Sequence, residues 1–258
     1  GKMVSRRQGN HNPRITALPQ EGDRGLHGTY YHVSFYDLQA ANHITMLPNS
    51  MEFVEHELTE AMQHGITQLW IVNASNIKPH VYPLDFIANL WGKDADSSKE
   101  HRTRYIREYY SNESRECELE RMEQCFEKYP KVMLPFGERE DEHAGEQFYN
   151  YVVRDFIYGW MCDGAIKPVE ELLWFADKAS YREQAESLKK ICESGFAGID
   201  ELYHECAVLN GGQLWKDSLQ LQVGIHWYCL KGSILFIKAY EAYSEGDYKK
   251  SFFLLGDA

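Results

Sequence analysis

Residues 67–91 read TQLWIVNASNIKPHVYPLDFIANLW, and this stretch decides the fold. Within it, the apolar run 69–72 ends at Asn73 and a polar turn follows. A second apolar segment begins at Pro83. A short run that is apolar on both sides predicts a parallel strand covered on both faces. The second segment predicts a helix with a proline in its first turn.

An alternating segment lies upstream, at residues 29–36 (TYYHVSFY). Alternation of apolar and polar residues predicts a strand with one apolar and one polar side. The apolar side would carry Tyr31, Val33 and Phe35, and the polar side would carry His32, Ser34 and Tyr36.

A helix is predicted between these two strands. Asn49 or Ser50 can cap its start, and Gly65 can end it. An apolar stripe connects these ends, formed by Phe53, Val54, Leu58, Ala61 and Met62. The order strand, helix, strand predicts a βαβ unit with parallel strands.

Polar residues stand where each predicted strand ends: Tyr36 and Asp37 after the first, and Asn73 at the second. The carboxyl ends of parallel strands share one edge, where ligands bind in parallel sheets and barrels. These residues are therefore candidate site residues. Asn73 has an alternative role as a turn residue that bonds its own backbone.

The chain changes character near residue 95, after which nearly every segment has helical periodicity. We therefore predict an α/β part over residues 1–95, made of the last units of a (β/α) barrel. A helical bundle is predicted over residues 96–258. Aromatic stripes in its helices are expected in the core. The acidic segment 137–147 (GEREDEHAGEQ) is expected to be a solvated linker or a helix start.

The composition narrows the classes of partner. The 258 residues have 43% hydrophobic content and a net charge of −12, which disfavours nucleic acid and anionic membranes. No membrane span, metal-ligand spacing or cofactor motif is recognised. Six cysteines without a paired spacing predict reduced thiols, which favour the cytoplasm.

Two blocks of this chain resemble glycoside hydrolase family 115, the xylan α-1,2-glucuronidases. The family shows a Tyr-Tyr-His strand and a later Trp-Ile-Val-Asn-x-x-Asp-x-Lys-Pro block. The matching positions here are Tyr30, Tyr31, His32, Trp70, Ile71, Val72, Asn73, Lys78, Pro79, Tyr82, Pro83 and Phe86. The resemblance is strongest over residues 28–91 and implies a fragment of a longer enzyme. It also allows a secreted or periplasmic location.

The resemblance implies a uronate-bearing glycan as the ligand. His32, Tyr36, Asn73 and Lys78 would bind it, and Asp37 is the candidate catalytic carboxylate. Each residue has a structural alternative: an interior histidine for His32, a surface lysine for Lys78 and a solvated turn for Asp37. Glu55 and Glu57, two apart on a helix, are expected to be surface charges.

Two departures from the family pattern bear on activity. Gln8-Gly9 stand where the family has acidic residues, and Asn76 replaces its Asp. Inverting glycosidases need two carboxyl groups, about 6.5–9.5 Å apart. These departures predict an inactive copy even at full length, and the fragment, which would lack most of the barrel, is expected to be inactive alone.

Two further functions stay open at this point. A catalytically silent sugar-binding relative would keep Asn73 and Lys78. A helical protein-binding scaffold is suggested by residues 238–255, which are similar to a tetratricopeptide helix pair. Such repeats have a period of 34 residues, but the pattern does not recur 34 residues earlier in the chain. The sequence leaves the oligomeric state open, a dimer included.

Overall fold

A computed structural model describes residues 2–5, 18–19, 22–23, 25–34, 43–92, 94–135, 143–146, 148–162 and 180–258. Three strands in this part form a parallel sheet in the order β1 (Lys2–Ser5), β2 (His27–His32), β3 (Leu69–Asn73). Helix α1 (Met51–Gln63) connects β2 to β3. The predicted βαβ unit is therefore present.

Strand β2 is shorter than predicted. It ends at His32, and Val33 and Ser34 form a bend whose N–H groups reach the carbonyl of Asn73 at 3.0 and 3.4 Å. Phe35 and Tyr36 lie outside the described residues. The side chains of Tyr31 and Val33 are fully buried, as the predicted apolar side requires, but His32 and Ser34 on the predicted polar side are buried as well, at 7% and 0% exposure.

Helix α1 begins and ends where its sequence predicts. The hydroxyl of Ser50 accepts a hydrogen bond from the N–H of Phe53 at 3.1 Å, and Gly65 follows the helix with a φ of +83°. Only a residue without a Cβ adopts that left-handed conformation at low cost. A 3₁₀ turn over Lys78–His80 then leads into α2 (Val81–Leu90).

Strand β3 corrects one prediction. Its side chains were expected to be covered on both faces, but Leu69 is 50% exposed and Ile71 is 38% exposed. The alternate residues Trp70 and Val72 pack against the apolar core. One face of β3 therefore carries the core, and the face with Leu69 and Ile71 is partly open.

The rest of the described chain is mostly helical. A short antiparallel pair, β4 (Leu134–Pro135) and β5 (His143–Ala144), interrupts the helices. The helices are α3 (Ser98–Tyr110), α4 (Glu116–Val132), α5 (Arg154–Met161), α6 (Tyr181–Ala207), α7 (Gly212–Trp215), α8 (Leu221–Ser244) and α9 (Tyr248–Asp257). Segments with π-type hydrogen bonding, 148–153 and 216–220, precede α5 and α8.

Two predictions about the helical part are wrong. The acidic segment 137–147 is not wholly solvated, because Ala144 and Glu146 are each 2% exposed. The aromatic residues are not all in the core: Phe252 and Phe253 of α9 face solvent.

Buried side chains from both halves of the chain join one apolar cluster. Tyr82 of α2 contacts the rings of Tyr105 on α3 and Phe126 on α4. The guanidinium of Arg102 lies 3.3 Å from the carboxylates of both Glu52 and Glu127, which ties α3 to α1 and α4. The boundary at residue 95 stays a prediction. A (β/α) barrel likewise stays a proposal, since the described strands form an open sheet.

Candidate active site

Three side chains meet at the carboxyl end of the sheet. Asn73 donates from Nδ2 to the hydroxyl of Tyr30 at 2.6 Å. The rings of Tyr30 and His32 lie edge to face, with centroids 4.6 Å apart. His32 is directly beside Asn73 in the strand register. Two of the predicted site residues, His32 and Asn73, are thus brought together.

The strand geometry explains this cluster. Residues two apart on a strand point to the same face, and paired positions on parallel neighbours share that face. Tyr30, His32, Ile71 and Asn73 therefore lie on the open face, opposite the one that carries the helices. The face is open at Ile71, which is 38% exposed, whereas His32 is 7% exposed and is reached by a ligand only at its edge. Tyr30 was not predicted as a site residue, although its spacing from His32 was the signal that could have found it.

Asn73 also fills its alternative role. Its Oδ1 accepts from the N–H of Ser75 at 3.3 Å, and Ser75 has a φ of +50°. The amide therefore bonds the turn through its oxygen and Tyr30 through its nitrogen. This double attachment fixes the amide in one orientation.

The open face offers polar groups beside apolar surface. Because Tyr30 accepts from Asn73, its own hydroxyl proton remains available to a ligand. The exposed side chains of Leu69 and Ile71 extend the same face away from the polar end. A sugar ring has the same combination of hydroxyl groups and an apolar face.

The remaining predicted residues lie elsewhere. The ammonium group of Lys78 lies 3.7 Å from Asp217, beside α8, and its side chain is 74% exposed. Tyr36 and Asp37 fall outside the described residues. Glu55 and Glu57 differ from the expected surface charges: Glu55 accepts from the N–H of Ser98 at 3.1 Å, and Glu57 is buried.

A buried histidine pair lies near this end of the sheet. Asn76 donates to the carbonyl of His43 at 3.2 Å, which holds the loop before α1 against the turn after β3. His80 is fully buried, and neither of its ring nitrogens has a hydrogen-bond partner among the described residues. Burial, with a smaller contribution from His43, lowers the pKa of His80 to about 4, so its ring is neutral.

The loop before α1 also forms hydrogen bonds with the helical part of the chain. The carboxylate of Glu146 accepts from the N–H of Ile44 at 3.2 and 3.1 Å and from the hydroxyl of Thr45 at 3.4 Å. Burial raises the pKa of Glu146, and these hydrogen bonds oppose the rise. Sequence reasoning missed Glu146, because its partners are about one hundred residues away.

Two more helical residues complete this attachment. Tyr129 donates to the carbonyl of Met46 at 3.2 Å and lies 3.0 Å from Nε2 of His226. Gln222 accepts from the N–H of Met46 at 2.7 Å and donates to the carbonyl of Pro79 at 3.2 Å. The helices therefore position both connections that follow the strands.

Within the described ranges, no three His, Cys, Asp or Glu side chains come together as a metal site. Nor does any helix of this part have the length and apolar character needed to cross a membrane.

The sequence model of glycosyl hydrolase family 115 matches residues 7–135, half of the chain and the part that holds Tyr30, His32 and Asn73. The chain belongs to glycosyl hydrolase family 115. The resemblance seen in the two sequence blocks is thereby confirmed.

Comparison with other proteins adds little detail to this family assignment. No curated protein matches the chain. Among solved structures, one similar protein is a novel family GH115 4-O-methyl-α-glucuronidase with specificity for decorated arabinogalactans. The two chains are 12% identical with a TM-score of 0.49, and the match covers 98% of this chain and 31% of that one.

Proposed function

We propose that this family 115 chain is part of an α-glucuronidase-like enzyme that acts on glucuronate-decorated xylan or a related glycan. The open sheet face with Tyr30, His32 and Asn73 would bind the uronate sugar. The observation that carries the proposal is the Asn73–Tyr30 hydrogen bond of 2.6 Å at the carboxyl end of parallel strands, within the stretch matched by the family.

Each side chain has a role that its chemistry allows. The hydroxyl of Tyr30 donates to a sugar oxygen, and the ring of His32 accepts or donates beside it. The exposed side chain of Ile71 contacts the apolar face of the sugar ring. These contacts orient the ligand through neutral groups. Lys78 is proposed to approach the uronate carboxylate only when its ion pair with Asp217 opens.

Bond cleavage requires carboxyl groups in addition to this binding face. One protonates the leaving oxygen and the other activates water, with about 6.5–9.5 Å between them in inverting enzymes. Asp37 is the proposed carboxylate from this chain. The other would come from outside the two sequence blocks, so the chain is proposed to bind without turnover when alone.

Calorimetric titration of the 258-residue chain with 4-O-methyl-glucuronate tests the proposal. Asn73→Ala and Tyr30→Phe should weaken binding roughly tenfold, because Tyr30→Phe removes the hydroxyl proposed to donate to the sugar and Asn73→Ala removes the amide that orients it. Tyr228→Phe is the matched control, since it removes one hydroxyl from an exposed tyrosine on α8. Circular dichroism of the same samples checks folding.

The proposal fails if a folded chain binds no uronate, or if both site variants bind as well as the control. Release of glucuronate from decorated xylo-oligosaccharides and arabinogalactan oligosaccharides is measured in parallel. Uronate binding without release supports the chain as a binding fragment.

A catalytically silent relative is the second candidate. It is favoured by Asn76, whose amide donates to the carbonyl of His43. The family's carboxylate could not make that bond when ionised. The distinguishing result is uronate binding without turnover in the longest reading frame that contains this chain.

A further inference from the structure

A cavity lies between α3, the start of α8 and the 3₁₀ turn that carries Lys78. Its volume is about 130 Å³. The floor is aromatic and buried, formed by Tyr82, Tyr105, Tyr110 and Phe126. Protein interiors have few voids larger than one water molecule. A cavity of this size, with room for about four waters, therefore departs from ordinary packing.

The rim of the cavity is exposed. Tyr109 is 39% exposed and Leu214 is 45% exposed, and the ion pair of Lys78 with Asp217 stands beside them. A buried apolar floor with a few polar groups at the mouth is the usual anatomy of a small-molecule pocket. The helix is interrupted here at Ser218, whose hydroxyl lies 2.9 Å from that of Tyr110.

The size and charge of the cavity limit the ligand. Drug-sized ligands occupy about 300–1,000 Å³, so this cavity has room for one ring and not for a chain of rings. The rim holds one cation and one anion already paired. A charged ligand would have to separate that pair, whereas a neutral hydroxylated ring can hydrogen-bond both members.

We propose that the cavity bounded by Tyr82, Tyr105, Tyr109, Tyr110 and the Lys78–Asp217 pair binds one neutral sugar ring of the glycan. The tyrosine rings pack against the apolar face of the sugar, as aromatic rings do against other flat apolar groups. The sugar hydroxyls meet Asp217 and Lys78 at the mouth. This inference rests on the proposed glycan ligand and assigns a second subsite beside the uronate face. Lys78 would serve the two sites in turn: it borders this subsite while it is paired with Asp217 and turns to the uronate carboxylate when that pair opens.

Saturation-transfer NMR on the whole chain tests the subsite. The probes are methyl β-xylopyranoside, methyl β-galactopyranoside and methyl α-arabinofuranoside, with glucuronate and p-cresol as comparison ligands. Tyr109→Ala should weaken binding of a neutral glycoside about three- to tenfold, because one aromatic contact is lost. Leu214→Trp should weaken it further by filling the mouth.

Two controls separate this subsite from the uronate face. Tyr228→Ala removes a tyrosine that is more exposed than Tyr109, 62% against 39%, and that does not line the cavity, so neutral-sugar binding should not change. Asn73→Ala should weaken glucuronate binding and leave neutral-sugar binding intact. If the unaltered chain binds neutral glycosides but no glucuronate, the result counts against the proposed function and not against the cavity.

The subsite is overturned if no neutral glycoside binds the folded chain. It is also overturned if Tyr109→Ala and Leu214→Trp bind neutral glycosides as the unaltered chain does. Binding of p-cresol about tenfold tighter than any glycoside would assign the cavity to an aromatic ligand instead.

Discussion

The residue that departs most clearly from the family pattern has a structural role. Asn76 stands where the family has Asp, and it donates to the carbonyl of His43 at 3.2 Å. His43 has a φ of +57°, a conformation that non-glycine residues adopt only where their surroundings hold it. The amide of Asn76 is one of the groups that hold this loop.

Asn76→Asp should therefore destabilise the fold by about 1 kcal/mol near neutral pH. The carboxylate cannot donate to the carbonyl of His43, and it places negative charge beside that oxygen. Urea unfolding at pH 7 measures the change in free energy. Asn76→Ala removes the donor without adding charge and should cost less. An Asp variant as stable as the unaltered chain would show that this contact does not stabilise the loop.

For single residues, the sequence predicts which side chains share one face of a strand. It predicts few of the contacts between residues that are far apart in the chain. The alternation of β2 placed Tyr31 and Val33 in the core and could have placed Tyr30 beside His32. The attachment of Ile44 to Glu146 spans 102 positions, and no local pattern indicates it. Lys78 adjoins the expected binding residues in sequence, yet its charge pairs with Asp217 of the helical part.

The sheet depends on a close approach between β2 and β3. A Cβ added at Gly28 would lie 2.7 Å from the carbonyl oxygen of Leu69, nearer than real Cβ atoms come. Backbone atoms cannot move aside as the end of a flexible side chain can. Gly28 therefore keeps the two strands in register near the start of the candidate site.

Gly28→Ala should destabilise the protein by about 1–3 kcal/mol, the usual cost of forcing an extra carbon into a packed region. Gly256→Ala is the matched control, because a Cβ there meets nothing within 4 Å and the residue lies in α9. The control should be neutral or slightly stabilising, since alanine favours helix. Equal thermal midpoints for the two variants would contradict the close approach.

The ends of helices were predicted well, because local capping rules determine them. The exposure of strand faces was predicted poorly, because it depends on which elements pack against them. The predicted cap of α1 is found at Ser50, whose hydroxyl accepts from the N–H of Phe53, three residues on. The apolar composition of β3 predicted cover on both faces, yet Leu69 and Ile71 are exposed. An apolar run indicates that the faces of a strand favour burial. It does not indicate whether another element packs against each face.

The whole molecule is joined by buried polar groups as well as by its apolar core. Gln222 and Tyr129 hold the loop before α1, and His226 lies against the Tyr129 hydroxyl within the same buried region. Burial lowers the pKa of His226 to about 4, as it does for His80. Both rings are therefore neutral in the folded protein at pH values where they would be charged in the unfolded chain.

Protein stability should consequently fall as the pH is lowered from about 6.5 to 4. In that window the unfolded chain binds more protons than the folded one, so acid favours unfolding. Each histidine contributes at most about 3 kcal/mol, at 1.36 kcal/mol for each pKa unit. Burial also lowers the pKa of His43 and of His101, which adds to this effect. The raised pKa values of the carboxyl groups of Glu146 and Asp155 act in the opposite direction.

Urea unfolding between pH 4 and 7 measures this dependence, and His226→Gln isolates one contributor. The variant should lose stability less steeply with acid than the unaltered chain, whatever its stability at pH 7, because glutamine does not titrate. His56→Gln, at an exposed position on α1, should keep the original slope. A shallower slope in His226→Gln would show that protonation of this buried histidine contributes to unfolding in acid. Parallel slopes in all three proteins would place the acid-sensitive groups elsewhere.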